Sequence, residues 1–255
     1  MRDCRLLSLG FTGIALMAGL ACAGCTPAPP AAVAAAPDAE SDAAPGASGV
    51  SRLPTIRAVF TWEKRADGVN QARQDYQFTI DACRKAGLPT RELSAEDEAK
   101  LDTGRVEVMI DPDQQHVRET YWKLDSTAAD GETVTPATAC QPHLKTSIDE
   151  ASPDDVSGMY LPLDADDGPR VDHWTREGQA QVGGQPCTWW SNGSQRVCMW
   201  SGGRQWGFAV EPEAQACWMG DASFYEDRIP LAGSAGKGLG CEIRLESFSL
   251  TGVRR

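Results

Sequence analysis

The stretch that most restricts the fold is CTWWSNGSQRVCMW, in which Cys187 and Cys198 bracket an Asn-Gly dipeptide. Asn-Gly between two strand-like runs is the strongest short signal for a hairpin with a two-residue turn. If Asn192 and Gly193 form that turn, Cys187 faces Cys198 across the hairpin. Facing Cα atoms lie about 4.5–5.5 Å apart, a separation that a disulfide tolerates. The sequence therefore predicts a cross-strand disulfide between these two cysteines.

Strand parity divides the side chains of this hairpin between two faces. A second turn, predicted at Ser201–Arg204, leads into a third strand over Gln205–Val210. One face is predicted to be core and carries Thr188, Trp190, Val197, Met199, Trp206 and Phe208. On the other face Trp189, Trp200 and Arg196 are a candidate binding surface, with Trp189 and Arg196 placed for a cation–π contact. The alternative is that a loop covers both indoles, or that they pack on the disulfide.

The first 24 residues have the regions of a secretory leader. Arg2 and Arg5 are followed by the apolar run Leu6–Leu20, which is short for a membrane span, and by small residues before Cys25. This start resembles a bacterial lipoprotein signal peptide, whose lipobox cysteine is lipidated and begins the mature protein. The resemblance implies that Cys25 carries the anchor. Cleavage before Cys22, where the family usually has Leu, and an ordinary secretory signal are the alternatives.

Residues 25–52 are dominated by Ala, Pro, Gly, Ser and Asp, with few side chains that can build a core. This composition predicts a disordered linker between the anchor and a domain over residues 53–255. In the lipoprotein family, a residue other than Asp after the lipidated cysteine favours the outer membrane, and here that residue is Thr26. The resemblance thus implies a domain anchored in the outer membrane and facing the periplasm, with the cell surface as the alternative.

Six of the nine cysteines lie beyond residue 25. An even number in an oxidising compartment predicts three disulfides. Once the hairpin disulfide is assigned, the remaining four cysteines allow three pairings. Pairing within each half of the chain favours Cys83–Cys140 and Cys217–Cys241, while the other two pairings stay open.

Signatures of catalysis and of metal binding are missing from the chain. Beyond residue 25 it has no CxxC, the whole chain has no GxSxG and no phosphate-binding loop of the correct spacing, and its three histidines, His116, His143 and His173, are not at metal-ligand spacing. We therefore predict no catalytic residue, no metal site, no cofactor and a non-enzymatic protein. The net charge of −12 also argues against nucleic acid as a partner, because binding phosphates requires a basic face.

Alternation of apolar and polar residues with a period of two predicts a mainly β-fold. The expected class is a twisted or curved antiparallel sheet, half-barrel-like, with one or two short helices, of which Ala95–Leu101 is one. Residues 125–157 are less regular and are either a long loop or a seam between subdomains. Strands are predicted near residues 56–62, 76–80, 106–110, 117–124, 143–148, 158–163, 171–177, 179–182, 187–190, 196–200, 205–210, 216–219 and 242–250.

This arrangement is weakly similar to a loose group of periplasmic proteins that have a curved antiparallel sheet, including the lipoprotein-carrier-like proteins. The similarity lies in short strands joined by turns such as DPDQQHVRE and in the Gly-Gly turn of GGQPCTWW. It covers most of residues 55–250 and implies a sheet that holds an apolar or lipid-like ligand. It assigns no functional residue.

Three functions are compatible with these features. The leading one is a non-enzymatic lipoprotein that is attached to the membrane by its anchor and binds a small apolar ligand. A second is an inhibitor or immunity-type lipoprotein whose acidic surface binds a cationic protein. A third is a cell-envelope hydrolase, which would require a carboxylate pair or a Ser–His contact in a cleft.

Overall fold

The computed structural model describes residues 52–125, 134–153, 170–171, 173–213 and 220–252. These residues form one antiparallel sheet, which confirms the predicted mainly β-fold. Three α-helices accompany the sheet, and no helix in the described ranges is long and apolar enough to cross a membrane. The strands are β1 (Thr55–Ala66), β2 (Thr103–Ile110), β3 (Gln115–Asp125), β4 (His143–Ala151), β5 (Arg170–Val171), β6 (Trp174–Val182), β7 (Gln185–Ser191), β8 (Gln195–Trp200), β9 (Pro230–Ala235) and β10 (Leu239–Thr251), and the helices are α1 (Gln71–Lys85), α2 (Ala95–Ala99) and α3 (Pro136–Ala139).

The first and last strands lie together in the middle of the sheet. The strand order is β4-β3-β2-β1-β10-β9-β8-β7-β6-β5, so that nearly every strand pairs with its neighbours along the chain. The exception is the pair β1 and β10, which runs the whole length of β1 from Thr55 to Ala66. This long pairing joins the two halves of the chain into a single sheet, with β4 and β5 at its ends.

One face of the sheet carries most of the hydrophobic core. In β1, Ile56, Ala58, Phe60 and Trp62 are buried and alternate with more exposed residues, as the period-two pattern predicts. We call this the inner face and the opposite one the outer face. The register extends the inner face from β1 to β2 and from β2 to β3. Its residues on these two strands are Val106, Val108, Ile110, Val117 and Glu119.

The inner face is covered by the protein's own chain. Residues 220–229, which we call the inner strap, begin with a short 3₁₀ helix at Ala222–Tyr225 and lead into β9. Tyr225 is fully buried, and its ring centroid lies 5.3 Å from that of Phe60 in β1. The strap also buries Ile229. Strap side chains therefore cover the inner face beside β1, β3 and β4.

A second, smaller core lies under α1. Tyr76 and Ile80 of α1 are buried with Leu101, and Leu124 of β3 and Leu144 of β4 pack against them from the outer face. The strand predicted at residues 76–80 is wrong, since this segment is helical. Asn70 caps the helix by accepting a hydrogen bond from the Arg73 amide, and the buried residues Tyr76, Ile80 and Cys83 follow helical spacing. Phe78, which made the pattern look like a strand, is 78% exposed.

The hairpin of β7 and β8 forms, but not in the predicted register. Trp189 lies opposite Cys198, and Ser191 lies opposite Arg196, which leaves four residues in the loop. The Asn192 side chain causes the shift, because its Oδ1 accepts hydrogen bonds from the amides of Ser194 and Gln195 and stabilises a longer turn. The register differs from the prediction by two residues. An even shift keeps every side chain on its predicted face.

Two of the predicted disulfides are confirmed. Cys187 and Cys198 are bonded across a diagonal of the hairpin with a Cα–Cα distance of 5.4 Å, and Cys83 is bonded to Cys140. Cys241 is also disulfide-bonded, whereas Cys217, its predicted partner, lies outside the described residues. Cys25, the predicted lipidation residue, and all of the predicted linker over residues 25–52 except Arg52 lie outside them as well.

The chain after β8 does not form the third strand predicted at 205–210. Residues Arg204–Trp206 make a 3₁₀ helix instead, and Gly207 continues the chain in the left-handed region with a φ of 88°. The two glycines before this helix allow the turn. The predicted strands at 158–163 and 216–219 lie outside the described residues.

Candidate functional site

The predicted binding surface of Trp189, Arg196 and Trp200 is only partly present. The Arg196 guanidinium carbon lies 4.1 Å from the ring centroid of Trp189, which is the predicted cation–π contact. Arg196 also forms an ion pair with Glu177 at 2.5 Å, and Trp189 packs partly against the core. Trp189 and Arg196 therefore form a small surface patch in which Glu177 neutralises the charge of Arg196.

Trp200 is not on that surface. Its side chain is fully buried, and its ring lies 4.9 Å from Phe248 and 5.2 Å from Phe208 between centroids. The turn after β8 folds directly over the indole, and a Cβ on Gly203 would lie 2.3 Å from a Trp200 ring carbon. The prediction that Trp200 belongs to a binding surface is therefore wrong, because the glycine turn brings the chain back over it.

An apolar groove opens where β9 separates from β10. The two strands pair only at Ile243–Gly233 and Arg244–Ala232, and the part of β10 beyond them pairs with β1 alone among the described residues. Pro230 at the start of β9 has no N–H group to donate, which is consistent with this early separation. The groove has a volume of about 350 Å³ and is lined chiefly by Val182, Leu231, Ile243, Leu245 and Phe248.

The turn between β6 and β7 closes one end of this groove. Gly183 has a φ of 57°, and a Cβ at this position would lie 2.7 Å from the Leu245 side chain. Glycine suits both the positive φ and the close approach of the turn to Leu245. No local sequence pattern indicated the groove, since it results from the separation of two strands.

A buried carboxyl group lies at the junction between the sheet and the inner strap. Glu119 is fully buried on the inner face and accepts hydrogen bonds from Trp62 Nε1 at 2.9 Å, the Gly220 amide at 2.7 Å and the Asp221 amide at 3.2 Å. Asp149 lies opposite Glu119 on β4 and accepts a hydrogen bond from the Ala222 amide at 2.6 Å. The two carboxyl groups thus hold the start of the strap against the sheet.

Burial in an apolar environment raises the pKa of Glu119 to about 7, and the nearby charge of Asp149 acts in the same direction. The three N–H donors oppose this shift without cancelling it. Sequence reasoning missed this residue, although a signal was present. Glu119 occupies an inward-facing position of β3 between Val117 and Tyr121, where the alternation calls for an apolar side chain.

Glu119 makes the stability of the domain depend on pH. Its pKa rises from 4.5 to about 7 on folding, so folding takes up a proton between these values. The stability due to the neutral carboxyl is complete below pH 4.5 and is lost as the pH rises through 7, a change of about 2 kcal/mol between pH 5.5 and pH 8. Urea unfolding of Glu119→Gln at several pH values should lack this part of the slope. Glu150→Gln, which changes an exposed carboxylate next to Asp149, should keep it, and equal slopes in wild type and Glu119→Gln would contradict the assignment.

Two features that a hydrolase would need are present in part. His116 Nδ1 lies 2.8 Å from Ser152 Oγ, within reach for a nucleophile and its base. The contact is exposed, and no described carboxylate is hydrogen-bonded to His116 to orient the ring. The carboxyl pair of Glu119 and Asp149 is engaged with strap amides. The described residues contain no group of His, Cys, Asp and Glu that could hold a metal ion.

No protein-family model, curated protein or solved structure matches the chain.

Proposed function

We propose that this chain is a lipid-anchored, non-enzymatic binding protein of the bacterial envelope, which faces the periplasm and holds an apolar, chain-like ligand in the groove beside β10. The observation that carries the proposal is the separation of β9 from β10, which leaves apolar side chains lining about 350 Å³ of open space. The anchor and location rest on the resemblance of residues 1–25 to a lipoprotein signal peptide.

The volume and lining of the groove favour a small, mainly apolar ligand. Its volume lies near the lower end of the range for small-molecule sites, about 300–1,000 Å³. Leu245 and Phe248 are half-buried, so each exposes apolar surface that a ligand would cover. Arg244, Glu246 and Ser247 add polar groups to its lining. A ligand with a long apolar body and a polar end satisfies both parts.

The inner strap supports a ligand site in this groove and not on the inner face beside β1, β3 and β4. Phe224, Tyr225 and Ile229 already occupy the inner face, and Glu119 and Asp149 bind the strap backbone. An apolar ligand entering there would have to displace buried side chains and leave two carboxyl groups without their donors. The groove beside β10 requires no such displacement.

Photo-cross-linking tests this proposal on the full-length chain. A diazirine-bearing palmitate analogue, activated by light, should label peptides that contain residues 182–183, 231–232 and 243–248. Val182→Asp and Leu245→Asp should each reduce labelling about tenfold, because a charge in the groove must be desolvated by the ligand. The matched control is Ile148→Asp, at an exposed position on the outer face. Labelling that is spread over the whole chain, or that is unchanged in both groove variants while they remain folded, would contradict the proposal.

A further inference from the structure

Trp122 is exceptional among the described tryptophans because it packs against neither hydrophobic cluster. It lies on the outer face of β3 and is half-buried, and its indole N–H has no hydrogen-bond partner among the described residues. A tryptophan side chain usually buries its large apolar surface and places its N–H on an acceptor. Trp122 is covered only in part and its N–H meets no described acceptor, which leaves part of the ring and a donor available to a ligand.

The strand register places Trp122 in a row of polar residues that crosses the outer face. Glu242 pairs with Glu63, Glu63 with Thr103, Thr103 with Trp122, and Trp122 with Thr146. The row therefore crosses five adjacent strands, a distance of about 19 Å at the usual strand spacing. It presents one aromatic ring between hydroxyl and carboxylate groups.

Trp122 also forms a wall that two grooves share. The first groove, of about 260 Å³, extends over the bare sheet and is lined by Glu63, Thr103 and Arg105. The second, of about 290 Å³, lies between the sheet and the segment that contains α2, and is lined by Ser94 and Thr146. The segment that contains α2 is held in place by a hydrogen bond from the Arg91 amide to the Cys140 carbonyl, next to the Cys83–Cys140 disulfide.

Charges of both signs line each groove. In the first groove Arg105 is paired with Glu107 and Glu246, and Glu63 is paired with Arg65 and Arg73. The other charged residues include one acid and one base in each groove, namely Glu242 with Arg244 and Asp97 with Arg91. A strongly charged ligand of either sign would therefore meet a like charge in both grooves. An uncharged ligand rich in hydroxyl groups needs both donors and acceptors, and these side chains offer both.

We propose that Trp122 and the two grooves beside it form a binding site for an uncharged oligosaccharide. A sugar ring presents C–H groups on its face, which pack on an aromatic ring, and hydroxyl groups at its edge, which pair with polar side chains and with the indole N–H. One sugar stacks on Trp122, and its neighbours extend into the groove on either side. This site is on the outer face and is independent of the apolar groove beside β10.

Isothermal titration calorimetry of the full-length chain tests the proposal, with two neutral probes, the tetramer of N-acetylglucosamine and cellotetraose. We expect at least one probe to bind, Trp122→Ala to weaken its binding about tenfold or more, and Trp122→Phe to weaken it less because a ring remains. Trp189→Ala is the matched control, since it removes another half-buried tryptophan, and it should change the affinity less than about twofold.

Three results would overturn the proposal. The first is that neither probe binds with a dissociation constant below about 10 mM. The second is that Trp122→Ala and Trp189→Ala weaken binding equally while both remain folded by circular dichroism. The third is that Trp122→Ala abolishes capture of a protein from the envelope while no saccharide binds, which would make this face a protein interface.

Discussion

Replacing both Cys83 and Cys140 by alanine is expected to lower the free energy of unfolding by about 4 kcal/mol. The disulfide joins residues 57 positions apart, and a cross-link of that span removes much of the conformational freedom of the unfolded chain. It connects the last turn of α1 to the C-cap of α3, so that its loss also weakens the attachment of α1 to the outer face. Urea unfolding without reductant measures the effect.

The hairpin disulfide provides the comparison for this prediction. Cys187 and Cys198 are separated by 11 positions, and the same chain-entropy argument gives a loss of about 3 kcal/mol for their replacement. Both pairs are buried, so the cavity left by the sulfur atoms is similar in the two variants. A larger loss from the short loop than from the long one would contradict this account of their contribution.

Trp62→Ala is expected to lower the free energy of unfolding by about 4 kcal/mol, the range found for large buried aromatic residues. Trp62 is 2% exposed on the inner face, and the absence of a side chain at Gly104 makes room for its ring. A Cβ on Gly104 would lie 2.3 Å from the Trp62 ring. Its truncation also leaves Glu119 Oε1 without the indole donor.

Two further variants separate the contributions of packing and hydrogen bonding at Trp62. Trp62→Phe keeps most of the ring but lacks the N–H donor, and we expect it to lose about 2 kcal/mol. Trp122→Ala, which removes a tryptophan outside both clusters, should change the stability by less than about 1 kcal/mol. Thermal and urea unfolding of the three variants test the ranking. Equal losses at Trp62 and Trp122 would contradict the assignment of the core.

The inner strap links the pH prediction to the architecture of the sheet. Glu119 and Asp149 lie on adjacent strands, and together they accept hydrogen bonds from the amides at the start of the strap. Burial makes the ionised form of a carboxyl at this inward-facing position less stable than it is in water. The same carboxyl accepts hydrogen bonds from amides that would otherwise be buried without acceptors. The strap therefore depends on a group whose protonation changes near neutral pH.

The sequence predicted most of the strands but failed where long-range contacts compete with local patterns. β1, β2, β3 and β10 have clear alternation because one face of each meets the core. The segment around Phe78 alternates in the same way, yet the Asn70 cap and the burial of Tyr76 and Ile80 against other elements make it a helix. β9 was missed because its residues, PLAGSA, have little alternation and are positioned by β8 on one side.

The candidate sites were less predictable than the fold. Trp189 and Arg196 were correctly brought together by strand parity, because that contact lies within one hairpin. Trp200 has the same parity and is nevertheless buried, since the chain after Gly203 folds over it. The groove beside β10 and the environment of Trp122 each combine residues from distant parts of the sequence. Such sites have no local pattern.

By itself the sequence determined the strand faces and the Cys187–Cys198 disulfide, because side-chain alternation and a short hairpin are local properties of the chain. Only the tertiary structure decided the pairing of β1 with β10, the position of the inner strap and the burial of Glu119. These features depend on which distant segments meet. The hairpin of β7 and β8 shows both contributions. The shift of its register by two residues left its side chains on their predicted faces, while the hydrogen bonds accepted by Asn192 in the folded loop determined which residues pair.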